Sequence, residues 1–158
     1  MLELFLVLTM LTADQGQCNQ LTRVPMGCFD VPCDYKVARA GGEVDYWFGY
    51  VEPPSGEWRV YWFAGLVTDF LEPHDGRDVI SIKTLELGDR KMDLGRVQEG
   101  AVDLLVLRAH PFFLMQFTTT SDTPKAEQIL RKVALSLRPS AGLDCEPAEL
   151  DLGDWPYN

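Results

Sequence analysis

From Glu43 onward the chain falls into short apolar stretches separated by turn residues about every eleven positions, and this rhythm restricts the fold more than any other feature. Val44–Val51, Trp58–Val67, Val79–Leu87, Met92–Val97, Val102–Ala109 and Phe112–Thr119 read as strands. Between them stand Pro53-Pro54-Ser55-Gly56, Glu72-Pro73-His74-Asp75-Gly76, Gly88-Asp89 and Glu99-Gly100, and Pro111 breaks the run before the last. Cys28–Val31 reads as one more short strand, and the Gly41-Gly42 pair as a turn. A parallel crossover needs about a dozen residues or more, so connections this short make sequential strands antiparallel. The expected core is a meander of six or seven strands.

One segment has a different period. Thr123-Pro124 supplies an N-cap hydroxyl followed by proline at the first helical position. Ala126, Ile129, Leu130, Val133, Ala134 and Leu137 then recur at helical spacing, with Lys125, Glu127, Gln128, Arg131 and Lys132 around them. The pattern predicts an amphipathic helix over Pro124–Leu137, ended by Pro139, and the fold class is α+β. The chain of 158 residues is divided accordingly: an apolar segment over 1–17, one α+β domain over 18–140 and an acidic tail over 141–158.

The strands are apolar on both faces. Trp58, Val60, Trp62, Ala64 and Leu66 alternate with Arg59, Tyr61, Phe63, Gly65 and Val67, and a strand of that kind is covered on both sides. One helix covers one face of a sheet. The other needs the sheet's own curvature, the N-terminal segment or a second copy of the chain. Tyr46, Trp47, Phe48, Tyr50, Trp58, Tyr61, Trp62 and Phe63 crowd two adjacent strands. Aromatic cross-strand pairs belong to sheet cores, but Tyr and Trp also favour contact surfaces. Tyr61 and Phe63 are therefore the candidate binding residues, for a protein partner or a small apolar ligand.

Met1–Ala13 is the most apolar stretch and has the length of a secretory h-region, although Glu3 stands where a basic residue is usual. The alternative is an N-terminal element packed on the core. Cys18, Cys28, Cys33 and Cys145 contain no Cys-x-x-Cys, so the common zinc and thioredoxin spacings are absent. An even count beside a signal-like leader favours disulfides and an extracytoplasmic location, periplasmic or secreted. Three connectivities are open. Pairing Cys28 with Cys33 requires a tight loop, because five extended residues span roughly 17 Å and a disulfide holds its Cα atoms within about 7 Å. A bridge from Cys145 to the N-terminal region pins the tail to the domain.

The net charge of −10 is unevenly placed. Asp144, Glu146, Glu149, Asp151 and Asp154 lie in the tail and Glu3 and Asp14 in the leader, while all fourteen bases and seventeen acids fall between Arg23 and Arg138. No basic patch offers a footing for nucleic-acid phosphates. No apolar run reaches the ~18 residues of a membrane-spanning helix.

Little in the chain points to catalytic chemistry. There is no Gly-x-Ser-x-Gly elbow and no glycine-rich phosphate loop. Glu72, His74 and Asp78 share a loop, but their spacing matches no zinc or calcium pattern, and His110 reads as a turn residue. No catalytic residue, metal or cofactor is assigned, and the reading leans away from an enzyme.

A last strand that runs through Ser121-Asp122-Thr123-Pro124 into a closing helix resembles the Mog1/PsbP-like group, over Val102–Leu137. Bacterial members of that group are small exported proteins, so the resemblance implies an accessory or binding role. The expected function is an exported, non-catalytic binding protein. The alternatives are a hydrolase-type enzyme with an unrecognised site and a structural homodimer.

Overall fold

Ten short strands and one helix run from Asn19 to Pro139 in a computed structural model of the chain, which describes residues 18–24, 27–42, 46–65, 69–87, 90–109 and 115–139. The leader over 1–17, the tail over 141–158, His110 and Cys145 lie outside the described residues. In chain order the elements are β1 (Asn19–Val24), β2 (Gly27–Pro32), β3 (Lys36–Gly42), β4 (Tyr46–Glu52), β5 (Val60–Gly65), β6 (Arg77–Leu87), β7 (Arg90–Glu99), β8 (Val102–Ala109), β9 (Met115–Thr119), α1 (Pro124–Leu135) and β10 (Arg138–Pro139). The class is α+β with antiparallel pairing throughout.

The meander is not a single one. The seven-stranded sheet has the order β3-β4-β5-β9-β8-β7-β6, so β3–β5 and β6–β9 are two meanders joined where β9 pairs with β5. Strands β5 and β6 are consecutive in sequence yet four places apart. Residues 66–76 make that connection. Eleven residues reach roughly 36 Å when extended, ample for four strand spacings of about 4.8 Å each. The short-connection argument holds for the hairpins and fails at this one longer link.

A second sheet, β1-β2-β10, lies beside the helix. One face of the large sheet is covered by α1 and β2 together. Helix residues Ala126, Ile129, Leu130, Val133 and Ala134 are buried, and α1 packs on β9, β8, β5 and β2. Phe29 of β2 fills the centre, edge-on to Phe117 at 5.4 Å and tilted on Trp62 at 6.2 Å. The Trp62 ring lies where a Cβ on Gly49 would be, with its nearest atom 2.4 Å from that position, so residue 49 must lack a side chain.

Helix α1 starts as its sequence dictates, with the Thr123 hydroxyl accepting from the Ala126 amide. It ends at Leu135, two residues before the apolar periodicity runs out. The cause is tertiary. The Asp30 amide donates to Ser136 Oγ at 2.8 Å, and Arg138 closes a bidentate pair on the Asp30 carboxylate at 2.8 and 2.9 Å. These bonds draw the chain out of the helix and onto β2. The hydrogen bond from Arg138 holds the Asp30 carboxyl below its ordinary value, against the opposing effect of burial.

Cys18 and Cys33 form a disulfide with Cα atoms 5.4 Å apart, closing the open end of the β1–β2 hairpin. Cys28, fully buried, is also disulfide-bonded. Among the described residues no helix is long and apolar enough to cross a membrane.

Two outcomes are expected. Cys145 is the one cysteine left to serve Cys28, so peptide mapping of the unreduced monomer should recover Cys18–Cys33 and Cys28–Cys145 linked pairs; a free Cys145 thiol would contradict this. Because the Asp30 pKa is depressed in the folded state, its pair with Arg138 contributes above the unfolded carboxylate pKa and is lost as pH falls through the folded one. Asp30→Asn should therefore cost up to about 1 kcal/mol at neutral pH for this partly exposed pair. The deficit should shrink in urea melts as the pH is lowered into the acid range.

Candidate functional site

Alternation along β4 and β5 sends Val51, Val60, Trp62 and Ala64 to the helix side and Tyr46, Phe48, Tyr50, Tyr61 and Phe63 to the opposite face. Register places Tyr50 across from Tyr61 and Phe48 across from Phe63. Ring centroids are 6.2 Å apart for Tyr50–Tyr61, 6.1 Å for Phe48–Phe63 and 6.2 Å for Tyr46–Phe48, the last two pairs near-parallel. All five side chains are half-buried. They form two adjoining aromatic groups, Tyr50–Tyr61 and Tyr46–Phe48–Phe63, on a partly buried surface that single-residue reading of Tyr61 and Phe63 only partly anticipates.

Charges rim this surface at one end. The Arg59 guanidinium lies 4.3 Å from the centre of the Tyr50 ring and is bonded to Glu52, which holds its pKa above the ordinary value; the Lys36 ammonium lies 5.8 Å from the same ring. Each contact over a π-face favours a cation there.

At the other end the surface stops at Phe70, whose ring is 4.8 Å from Phe63. Phe70 belongs to the connection between β5 and β6, which crosses this face and covers the half built from β6–β9. Leu71 enters the space over Gly95, where a Cβ would come within 2.3 Å of its Cδ2, and joins Val97 and Val106 in a second small core. Polar bonds hold the crossing in place. The Phe70 amide donates to Gln116 Oε1 at 2.8 Å, and Arg77 spans from the Asp69 carbonyl to the Glu99 carboxylate, both at 3.2 Å.

Arg108 is the centre of this fastening. It donates to Asp69 on the crossing segment and to Asp93 on β7 at 2.6 Å, and Asp93 also accepts from Thr84 Oγ1 at 2.8 Å. Burial works against the Arg108 charge, but the hydrogen bonds and charges of Asp93 and Asp69 outweigh it and raise its pKa. Sequence reading missed all three residues. Asp69, Asp93 and Arg108 are far apart in the chain, and each alone resembles a solvated surface charge.

The loop residues considered for metal chemistry are not a ligand set. His74 is exposed, its Nδ1 3.0 Å from the Asp75 carbonyl oxygen, in a tight turn where His74 and Arg77 exchange backbone bonds. Among the described residues no group of three or more His, Cys, Asp or Glu is placed to hold a metal ion. The cysteines of the Cys18–Cys33 bridge and Cys28 are oxidised and carry no nucleophile.

No family model matches the chain, and no curated protein matches it. What the geometry defines is an antiparallel α+β protein with one sheet face divided between a fastened half and a partly buried aromatic half.

Removing the fastening has a measurable expectation. Arg108→Met takes the guanidinium away from the Asp93 carboxylate, which is 4% exposed, and should destabilise the protein by about 3 kcal/mol. Hydrogen exchange should speed up most at Phe70 and Leu71. Uniform loss of protection with no excess at the crossing would mean that Arg108 does not fasten it.

Proposed function

We propose that this is a non-catalytic binding protein of an oxidising, extracytoplasmic compartment, and that a protein partner docks on the aromatic face of β4 and β5. The observation that carries the reading is the aromatic surface that the crossing segment leaves only partly buried. Phe70, Leu71 and the Arg108 bonds cover the centre of the β6–β9 half, at whose edge Ile82 is still 50% exposed, and Tyr46, Phe48, Tyr50, Tyr61 and Phe63 line the adjoining strands, each partly buried. Protein interfaces are enriched in Tyr, Phe and Arg at their centre and carry polar groups at the rim, which is the chemistry of this surface with Arg59, Glu52 and Lys36 along its edge.

Cysteine chemistry supports the compartment. Cys18–Cys33 and the bonded Cys28 are at home where thiols oxidise, and the apolar stretch Met1–Ala13 suits a secretory leader. The element order from β8 through β9 and Ser121–Pro124 into α1 supports kinship with the Mog1/PsbP-like group and its accessory roles.

The test is the double variant Tyr61→Ser, Phe63→Ser. Losing two half-buried cross-strand aromatic contacts should cost about 2 kcal/mol in all while the fold survives. A partner retained by the wild type from periplasm or medium should be lost by the variant and kept by an Arg39→Ser control. Global unfolding of the variant would mark the two rings as core. Concentration-dependent dimerisation abolished by the variant would make the partner a second copy.

A further inference from the structure

A cleft of about 550 Å³ opens where the turn after β2, the turn between β4 and β5 and the start of α1 converge, and none of its lining belongs to the aromatic face. This volume is in the range of small-molecule sites, roughly 300–1,000 Å³. One wall is aromatic: Tyr35 and Trp58 stand 5.9 Å apart with their planes at 53°. Tyr35 is held by its backbone, its carbonyl accepting from Gln20 Nε2 at 2.6 Å and its amide donating to the Pro32 carbonyl at 3.0 Å. Burial and the nearby Asp34 charge raise the Tyr35 pKa, which keeps the phenol neutral.

The rest of the lining is polar and mixed in sign. Ser55 donates to Glu57 at 3.2 Å, Ser121 and Thr123 share a hydroxyl bond of 2.9 Å, and Lys125 has no ion-pair partner among the described residues. These groups discriminate between ligand classes. An anion drawn to Lys125 and the helix start meets the Glu57 carboxylate in the same cleft. An aliphatic ligand would strip water from Lys125, Glu57 and the serines without replacing their hydrogen bonds. A pyranose ring satisfies both demands. Its C–H face packs on an indole, and its hydroxyls donate to a carboxylate and accept from an ammonium at once.

We propose that this cleft binds a neutral saccharide, with one pyranose face on Trp58 and the ring hydroxyls bonded to Ser55, Glu57, Ser121 and Lys125. The site goes beyond the protein-binding face and stands independently of it.

Titration of the intact protein, followed by the Trp58 indole N–H in proton–nitrogen NMR spectra, tests the assignment. The probes are methyl glucoside, methyl galactoside, methyl mannoside, cellobiose, maltose and di-N-acetylchitobiose, each to about 50 mM, sufficient to saturate a site of millimolar affinity. At least one should shift the Trp58 indole and the Ser121 and Lys125 amides saturably. Trp58→Ala should weaken that binding at least tenfold. Since Trp58 also packs against the core, the exposed Lys125→Met serves as a second variant and should weaken it about threefold at unchanged Tm. The Tyr61→Ser, Phe63→Ser variant should bind the sugar normally, which separates this site from the partner face. Absence of a saturable shift with all six sugars overturns the proposal. So does an equal response to glycerol, tighter binding of inorganic phosphate, or sugar binding that survives loss of the indole.

Discussion

The pairing of β9 with β5 on one side and β8 on the other is the interaction on which the rest of this structure depends. Without it there are two separate antiparallel meanders, each with unpaired edges. All five residues of β9 are buried, with Met115, Phe117 and Thr119 on the helix side and Gln116 and Thr118 on the other. Phe117 meets Phe29, which brings the β1–β2 hairpin onto the sheet. Gln116 accepts the Phe70 amide, and Thr119 Oγ1 donates to the Arg59 carbonyl at 2.8 Å. The strand then leads directly into α1, so the helix returns over the strand that precedes it.

The crossing between β5 and β6 follows from that central pairing. Once β9 occupies the edge of β5, β6 is displaced to the far side of the sheet, and the connection must traverse a face. Where it does so it supplies Phe70 and Leu71 as cover and Asp69 as an anchor for Arg108. An ionic anchor here acts as a constraint on position more than as a source of stability, because two charged partners lose hydration in forming it. The face is thereby split. The crossing fastens one half of the face with specific bonds, and five partly buried aromatic rings line the other.

The parts that were legible in the sequence were those governed by local period. Alternation in VYWFAG and helical spacing from Ala126 to Ala134 both correspond to the faces that are buried. The early end of the helix was not legible, because the bonds from Asp30 and the pairing of Arg138 with Cys28 come from more than a hundred residues away. Strand β3 was missed for a related reason. Gly41 and Gly42 carry the signature of a turn, but they lie across from Phe48 and Trp47, whose rings occupy the space their Cβ atoms would need, at 2.7 and 2.6 Å. Glycine there permits aromatic packing on an edge strand. The Tyr35–Trp58 cleft was equally hidden, assembled from two turns and a helix start that lie far apart in the chain.

The sequence by itself determined most of the strands of the large sheet, the body of the helix and which of their faces are apolar, because side-chain direction repeats every two or 3.6 residues whatever the rest of the chain does. It also set how the hairpins pair, since short turns leave one choice. Only the tertiary structure decided that β9 inserts beside β5, that the segment with Phe70 and Leu71 lies on a sheet face, and that Arg108 meets Asp69 and Asp93. Those outcomes depend on contacts between segments far apart in the chain, where local periodicity carries no information about which buried face meets which.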